Sequence, residues 1–198
     1  MRCSVDFSMT GAPSHAPPLL VPPLRFALVE EGIYRGAYPS LINLRFLQRL
    51  QLRTIVSLLP ESPTPDLLNW CKTQGIRSHA ERIAVFKDEV TLTQDRAAVI
   101  LQLLVLPERQ PVYIHCLDGV SVTGTLIMCL RKLQRWTTAA LYAENARFAG
   151  LGSDALGNKP IAHISQFVEV RLTAPTAARP SERGPLLARN TLFVAPCS

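Results

Sequence analysis

Close cysteine pairs, blocks of basic residues and long apolar runs are all missing from this chain of 198 residues. The five cysteines, Cys3, Cys71, Cys116, Cys129 and Cys197, are scattered and odd in number, which argues against a disulfide framework and a structural zinc site. His, Cys and carboxylate residues do not cluster at metal-ligand spacing either, so neither a metal nor a cofactor is expected. The longest apolar stretch, Ala97 to Leu106, is interrupted by Gln102 and too short to span a bilayer, so no membrane association is expected. The run around Leu19 to Val21 is broken by Pro17, Pro18, Pro22 and Pro23 and does not read as a secretory signal. A Ser-rich, nearly acid-free start leaves a mitochondrial presequence open, with Arg2 its only basic residue. Cys197 is second from the end, where a prenylated cysteine would be fourth. A reducing cytoplasm is the expected setting. The net charge of +6 favours acidic partners, but it is dispersed, and nucleic acid is not an expected partner.

With 47% hydrophobic and 18% charged residues, the chain has a globular composition and can bury a sizeable core. Of its sixteen prolines, five lie in residues 1–23 and four in residues 172–198. These ends read as flexible tails around a folded domain of residues 24–171. Inside it, Phe26 to Val29 and Ile33 to Arg35 read as short strands around a turn, and Leu44 to Leu50 as a helix. Thr54 to Leu59 suits a buried strand ending at Pro60. Pro65 suits the first turn of a helix running to Gln74, which Gly75 stops before a strand over Ile76 to Ala80. A long apolar helix begins at Thr93 to Asp95 and ends before Pro107. Val112 to His115 has the compact apolar pattern of a central parallel strand, with two or three helices after it. This alternation predicts an α/β layered domain whose mostly parallel central sheet is flanked by helices.

Val112 to Thr125 is the stretch that carries chemistry. A buried strand ends in His115-Cys116, a short loop follows, and the helical spacing of Leu126, Cys129, Leu130 and Leu133 predicts a helix from near Thr123. In such a strand–loop–helix unit, backbone N–H groups converge on the loop and the helix N-terminus adds positive potential. A thiol there would have a lowered pKa and serve as a nucleophile, and the loop would cradle phosphate oxygens. Two blander readings stand beside this one. Asp118-Gly119 is also a good hairpin turn, and a cysteine at a strand end is often an inert small hydrophobe. Cys71 and Cys129, within helical patterns, belong to that inert class.

The segment resembles the active-site loop of cysteine-dependent phosphatases: His-Cys, two residues, Gly, two residues, Arg, then Ser/Thr-Gly. More narrowly, the chain resembles the plant-and-fungal atypical dual-specificity phosphatases of the protein tyrosine phosphatase superfamily. The supporting pieces are Val21-Pro-Pro-Leu-Arg-Phe26, Gly32-Ile-Tyr-Arg-Gly36 with Tyr38-Pro39, Leu52-Arg-Thr-Ile-Val56, Pro60-Glu61, Cys129-Leu-Arg-Lys-Leu-Gln134 with Trp136, and Arg147-Phe148. They stand in order over residues 20–170. The resemblance implies a cysteine-phosphatase-like fold and a phosphate loop made of His115, Leu117, Asp118, Gly119, Val120, Ser121, Val122, Thr123 and Gly124 around the candidate nucleophile Cys116. It implies a substrate among inositol pyrophosphates or phosphoproteins. It also implies a general acid on a movable loop, for which Asp88, 28 residues before Cys116, is the candidate; a solvated acidic residue before a helix is the plainer reading. His115 would orient the loop, or simply be a satisfied core histidine.

The match fails at one position. The arginine expected six residues after the cysteine is Val122. That arginine is a planar, always charged fork for two phosphate oxygens, and valine offers no donor. Asp118 adds a carboxylate that repels a phosphate dianion and opposes thiolate formation. No residue of the loop is basic. Arg131 and Lys132 read as structural, since active relatives carry a similar helix; Arg35 is a candidate stand-in for the missing arginine, with an exposed strand-end residue as the favoured reading. The expectation is a pseudophosphatase acting as an interaction or regulatory subunit, with related phosphatase-family proteins as hetero-oligomeric partners. The rivals are a weak phosphatase using Cys116 and Asp88, and a module that binds a phosphorylated small molecule without cleaving it.

Overall fold

The structure, a computed structural model, describes residues 19–149 apart from 84, 87, 88 and 91. Strands β1 (Ala27–Glu30) and β2 (Ile33–Ala37) form an antiparallel hairpin turning at Gly32, whose φ of +80° favours glycine. Helix α1 (Leu41–Arg49) follows, then β3 (Thr54–Leu59), α2 (Pro65–Thr73) and β4 (Arg77–Arg82). A two-residue antiparallel ladder, β5 (Val85–Phe86) with β6 (Glu89–Val90), stands where a loop was expected. Helix α3 (Gln94–Val105), strand β7 (Val112–Cys116) and helices α4 (Ser121–Leu133) and α5 (Thr138–Ala149) complete the described chain. Any further helix up to Arg171 lies outside the described residues, as does Asp88.

The five-stranded sheet has the order β1-β2-β7-β3-β4 and is parallel except at the β1–β2 hairpin. Its two faces separate by strand alternation, since successive side chains point to opposite sides. Val112, Ile114 and Cys116 of β7, with Val56 and Leu58 of β3, join the apolar stripes of α3 and α4 in one cluster. Tyr113 and Ile55 point the other way, into a cluster with Leu47 of α1 and Leu67 and Cys71 of α2. The result is three layers, helix–sheet–helix, with α5 packed on the outside of α4 through Leu141 and Met128. Each fully buried aliphatic side chain here, such as Ile33, Ile55 or Leu104, contributes about 1.5–3 kcal/mol.

Local sequence sets the helix ends. The Ser40 backbone N–H donates to Asn43 Oδ1 at 2.8 Å, and Asn43 Nδ2 donates to the carbonyls of Val21 and Pro22 at 3.2 and 3.1 Å. One side chain thus starts α1 and tethers the strand of chain before Leu24. Pro65 opens α2, and Gly75, with φ of +68°, follows its end.

This topology places the chemistry. Strand β7 lies between β2 and β3, so its carboxyl end opens where the chain order reverses, the usual ligand position in open α/β sheets. Ala37 pairs with Cys116 on one side, and Ser57 pairs with His115 on the other.

Candidate active site

After Cys116 the chain turns through Leu117–Val120 into α4, which excludes the hairpin reading of Asp118-Gly119. Gly119 is required at its position. Its φ is +76°, and a Cβ there would lie 2.7 Å from Ala37 N and Gly36 C. Gly124 is less constrained: a Cβ there would meet Asn145 Oδ1 of α5, the end of a side chain rather than backbone. The loop is therefore pressed against β2, and the first turn of α4 against α5.

Its interior is filled by its own carboxylate. Asp118 Oδ1 accepts from the backbone N–H groups of Val120 at 2.9 Å and Ser121 at 3.2 Å, and Oδ2 accepts from the Ser121 hydroxyl at 2.8 Å. The Cys116 thiol donates to Oδ1 at 3.0 Å, while the Gly119 N–H donates to the sulfur at 3.2 Å. Burial would raise the Asp118 pKa, but these hydrogen bonds outweigh it and hold the carboxyl below the ordinary range. Asp118 is only half-buried, beside exposed Leu117.

The thiol does not behave as the loop's position suggests. Burial first, then the Asp118 carboxylate, push the Cys116 pKa up. The hydroxyl and amide of Thr123 lean toward the sulfur and oppose the shift without reversing it. The lowering expected from the strand–loop–helix position is thus corrected, while Asp118 opposes thiolate formation as expected: with the sulfur buried and a carboxylate against it, desolvation and like charge exceed the helix-terminus field. Burial and the Asp118 carboxylate thus favour the thiol of Cys116 over its thiolate. Cys71 and Cys129 are inert as expected, pushed by burial to about 11 and about 12.

His115 is fully buried and held below its ordinary value, to about 4, by burial. Its Nε2 pairs with Ser57 Oγ at 2.9 Å, its Nδ1 lies 3.4 Å from the Cys116 carbonyl, and its ring meets Tyr38 edge-on at 5.2 Å. A neutral imidazole donating from Nδ1 and accepting at Nε2 satisfies this arrangement, so His115 braces the strand end and carries no charge. Val122 is 3% exposed and packs in the main core cluster, with no donor in the loop.

Two arginines reach the loop from outside it. Arg25, whose φ is +55°, donates from Nη1 to the Asp118 carbonyl at 2.8 Å. Arg35, expected to be an exposed strand-end residue, is 1% exposed, because it lies on the buried strand β2 and its side chain reaches the loop. Its Nη2 donates to the Gly119 carbonyl at 2.9 Å, and its guanidinium stacks over Phe148 at 4.0 Å. Burial lowers its pKa to about 10, against the pull of Glu144, Cys116 and Asp118, so it stays charged at neutral pH. Its Nε lacks a hydrogen-bond partner, as do Thr123 Oγ1 and Asn145 Oδ1, both buried nearby. Arg25 escaped the sequence reading; the only signal for either arginine was its place in the Pro-Leu-Arg-Phe and Tyr-Arg-Gly pieces.

Arg131 is structural, as expected. It binds Glu144 at 3.0 Å and the Val29 carbonyl at 2.7 Å, and stacks on Trp136 at 4.4 Å. Among the described residues no group of three His, Cys, Asp or Glu could hold a metal ion, and no helix is long and apolar enough to cross a membrane.

A loop of converging N–H groups after a central parallel strand, holding a cysteine, is the phosphate loop of a cysteine phosphatase in form. The model of the tyrosine phosphatase family matches residues 20–180. This chain belongs to the tyrosine phosphatase family. It is 36% identical over 153 residues to the putative tyrosine-protein phosphatase OCA1 of Mycosarcoma maydis, covering 77% of this chain and 93% of that protein. It is 38% identical over 137 residues to the inositol diphosphatase DSP1 of Oryza sativa, covering 66% of this chain and 60% of that protein. The core catalytic domain of the S. cerevisiae PP-IP phosphatase SIW14 superposes with a TM-score of 0.68 at 31% identity, covering 75% of this chain and 88% of that one. These relatives place the chain among the atypical dual-specificity phosphatases, with the mostly parallel layered fold expected of them.

Proposed function

We propose that this chain is a catalytically impaired member of its family that acts as an interaction or regulatory subunit, partnering related phosphatase-family proteins. Buried Val122 carries this reading: it stands where the family pattern has its phosphate-holding arginine. One missing oxyanion donor costs about 10²–10³ in rate, and an arginine on a transferring phosphoryl group is worth roughly 10³–10⁵. Arg25 and Arg35 do not replace it as phosphate-holding forks, since the hydrogen bonds they make to the loop are spent on the backbone carbonyls of Asp118 and Gly119. The scaffold around the loop is otherwise well kept, which supports a role in assembly.

Names of the relatives supply the substrates to test, an inositol pyrophosphate and a small aryl phosphate. Wild type should turn over neither faster than Cys116→Ser. Turnover that vanishes in Cys116→Ser would replace this reading with the weak enzyme, which the Gly119 N–H on the sulfur favours. The partner half is tested by light scattering of the chain mixed with an active relative: a stable mixed oligomer is expected, and two independent monomers would contradict it.

A further inference from the structure

The N–H groups of Val120 and Ser121 and the Ser121 hydroxyl are the donors from which this loop would hold a tetrahedral oxyanion. All three are already spent on Asp118. Behind them sits Arg35, a guanidinium 1% exposed with an unpartnered Nε, its charge attracted first by Glu144 of α5 and then by Cys116 and Asp118 of the loop. A buried cation with inward N–H groups is an electropositive pocket whether or not the loop carries an arginine. Thr123 Oγ1, fully buried, lies beside the sulfur at the base of the same loop.

We propose that the Asp118 carboxylate is a resident pseudo-ligand that keeps the loop shut, and that a tetrahedral oxyanion takes its place once that carboxylate is removed. A phosphate-like anion and the Asp118 carboxylate compete for one set of donors, and two anions cannot share them without strong repulsion. The half-buried position of Asp118 leaves the pocket reachable from solvent. Arg35 adds positive charge beside the loop that Glu144 shares with Cys116 and Asp118, so the gain on removing Asp118 depends on it.

This rests on the reading of the loop as a disabled phosphate site, and the outcomes separate the two. Tungstate is the probe, titrated by calorimetry and thermal shift into wild type, Asp118→Ser, Asp118→Asn and Asp118→Ser/Arg35→Gln. Asp118→Ser should bind tungstate about tenfold or more tighter than wild type, a difference of about 1.4 kcal/mol. Asp118→Asn, which keeps an acceptor but loses the charge, should gain less, and the double variant should lose most of the gain. Saturable micromolar binding to wild type overturns the inference. So does a lack of gain in Asp118→Ser with an unchanged circular dichroism spectrum; if that variant does not fold, a lack of gain in Asp118→Asn decides the same way. Tungstate gain without turnover upholds both readings. Turnover by wild type overturns the disabled-site reading whatever tungstate does.

Discussion

Restoring the arginine alone should not restore the enzyme. Val122→Arg removes a side chain that is 3% exposed and packed in the main core cluster, so the variant should lose about 2 kcal/mol of stability. For a chain of this size that lowers Tm by roughly 4–8 °C. The new guanidinium enters a loop whose donors already hold Asp118, and it pairs with that carboxylate rather than with substrate. The single variant should therefore raise kcat/KM on an aryl phosphate by less than about tenfold. Adding Asp118→Ser frees both the fork and the N–H groups, and the gain should then reach about 10²–10³. The two substitutions should be coupled by at least about 1.4 kcal/mol, since they act in one loop. Steady-state kinetics of wild type, the two singles and the double measure this, with Cys116→Ser in the double background as the control that must abolish turnover. If Val122→Arg alone is as active as the double, the carboxylate does not obstruct the loop and the reasoning fails.

Acid should destabilise the fold through His115. Its pKa is near 6.5 when the chain is unfolded and about 4 when folded, so the unfolded state binds more protons between those values. The stability present above pH 6.5 is lost as pH falls toward 4, by about 3 kcal/mol in all; urea midpoints at pH 7 and 4.5 should show the loss in wild type and a smaller one in His115→Asn. Arg131→Met leaves Glu144 without the partner it holds at 3.0 Å in a site where Arg131 is 5% exposed. Breaking such a pair should cost about 3–5 kcal/mol by urea denaturation, and a cost below about 1 kcal/mol would show the pair to be dispensable. Gly119→Ala forces a Cβ against the backbone of Gly36 and Ala37 at positive φ, and should lower the urea midpoint by more than Gly75→Ala, where the space is open.

Much of this architecture is legible in the sequence because it rests on short-range pattern. The β-branched run of Thr54–Leu59 matches a strand end for end, and Pro65 and Gly75 bracket a helix by fixed backbone preferences. The strand–loop–helix unit at Cys116 is equally local. What the sequence hides is decided by packing between distant segments. Arg35 looks like a surface residue until β2 is placed beside β7 and its side chain reaches the loop. Asp118 looks like a charge facing a substrate, whereas its carboxylate folds back on the amides two and three residues later. The direction of the Cys116 shift follows from the Asp118 carboxylate, which the motif shows, and chiefly from burial, which motif spacing does not contain.

The most direct measurement is the alkylation rate of Cys116 by iodoacetamide against pH, followed by peptide mass spectrometry so that Cys71 and Cys129 do not contribute. A buried thiol hydrogen-bonded to Asp118 should react slowly at pH 7 and speed up only above the value of a free thiol, about 8.5. A rate that has already reached its plateau by pH 6 would mean a thiolate poised for catalysis, and would contradict the account of a loop closed on its own carboxylate.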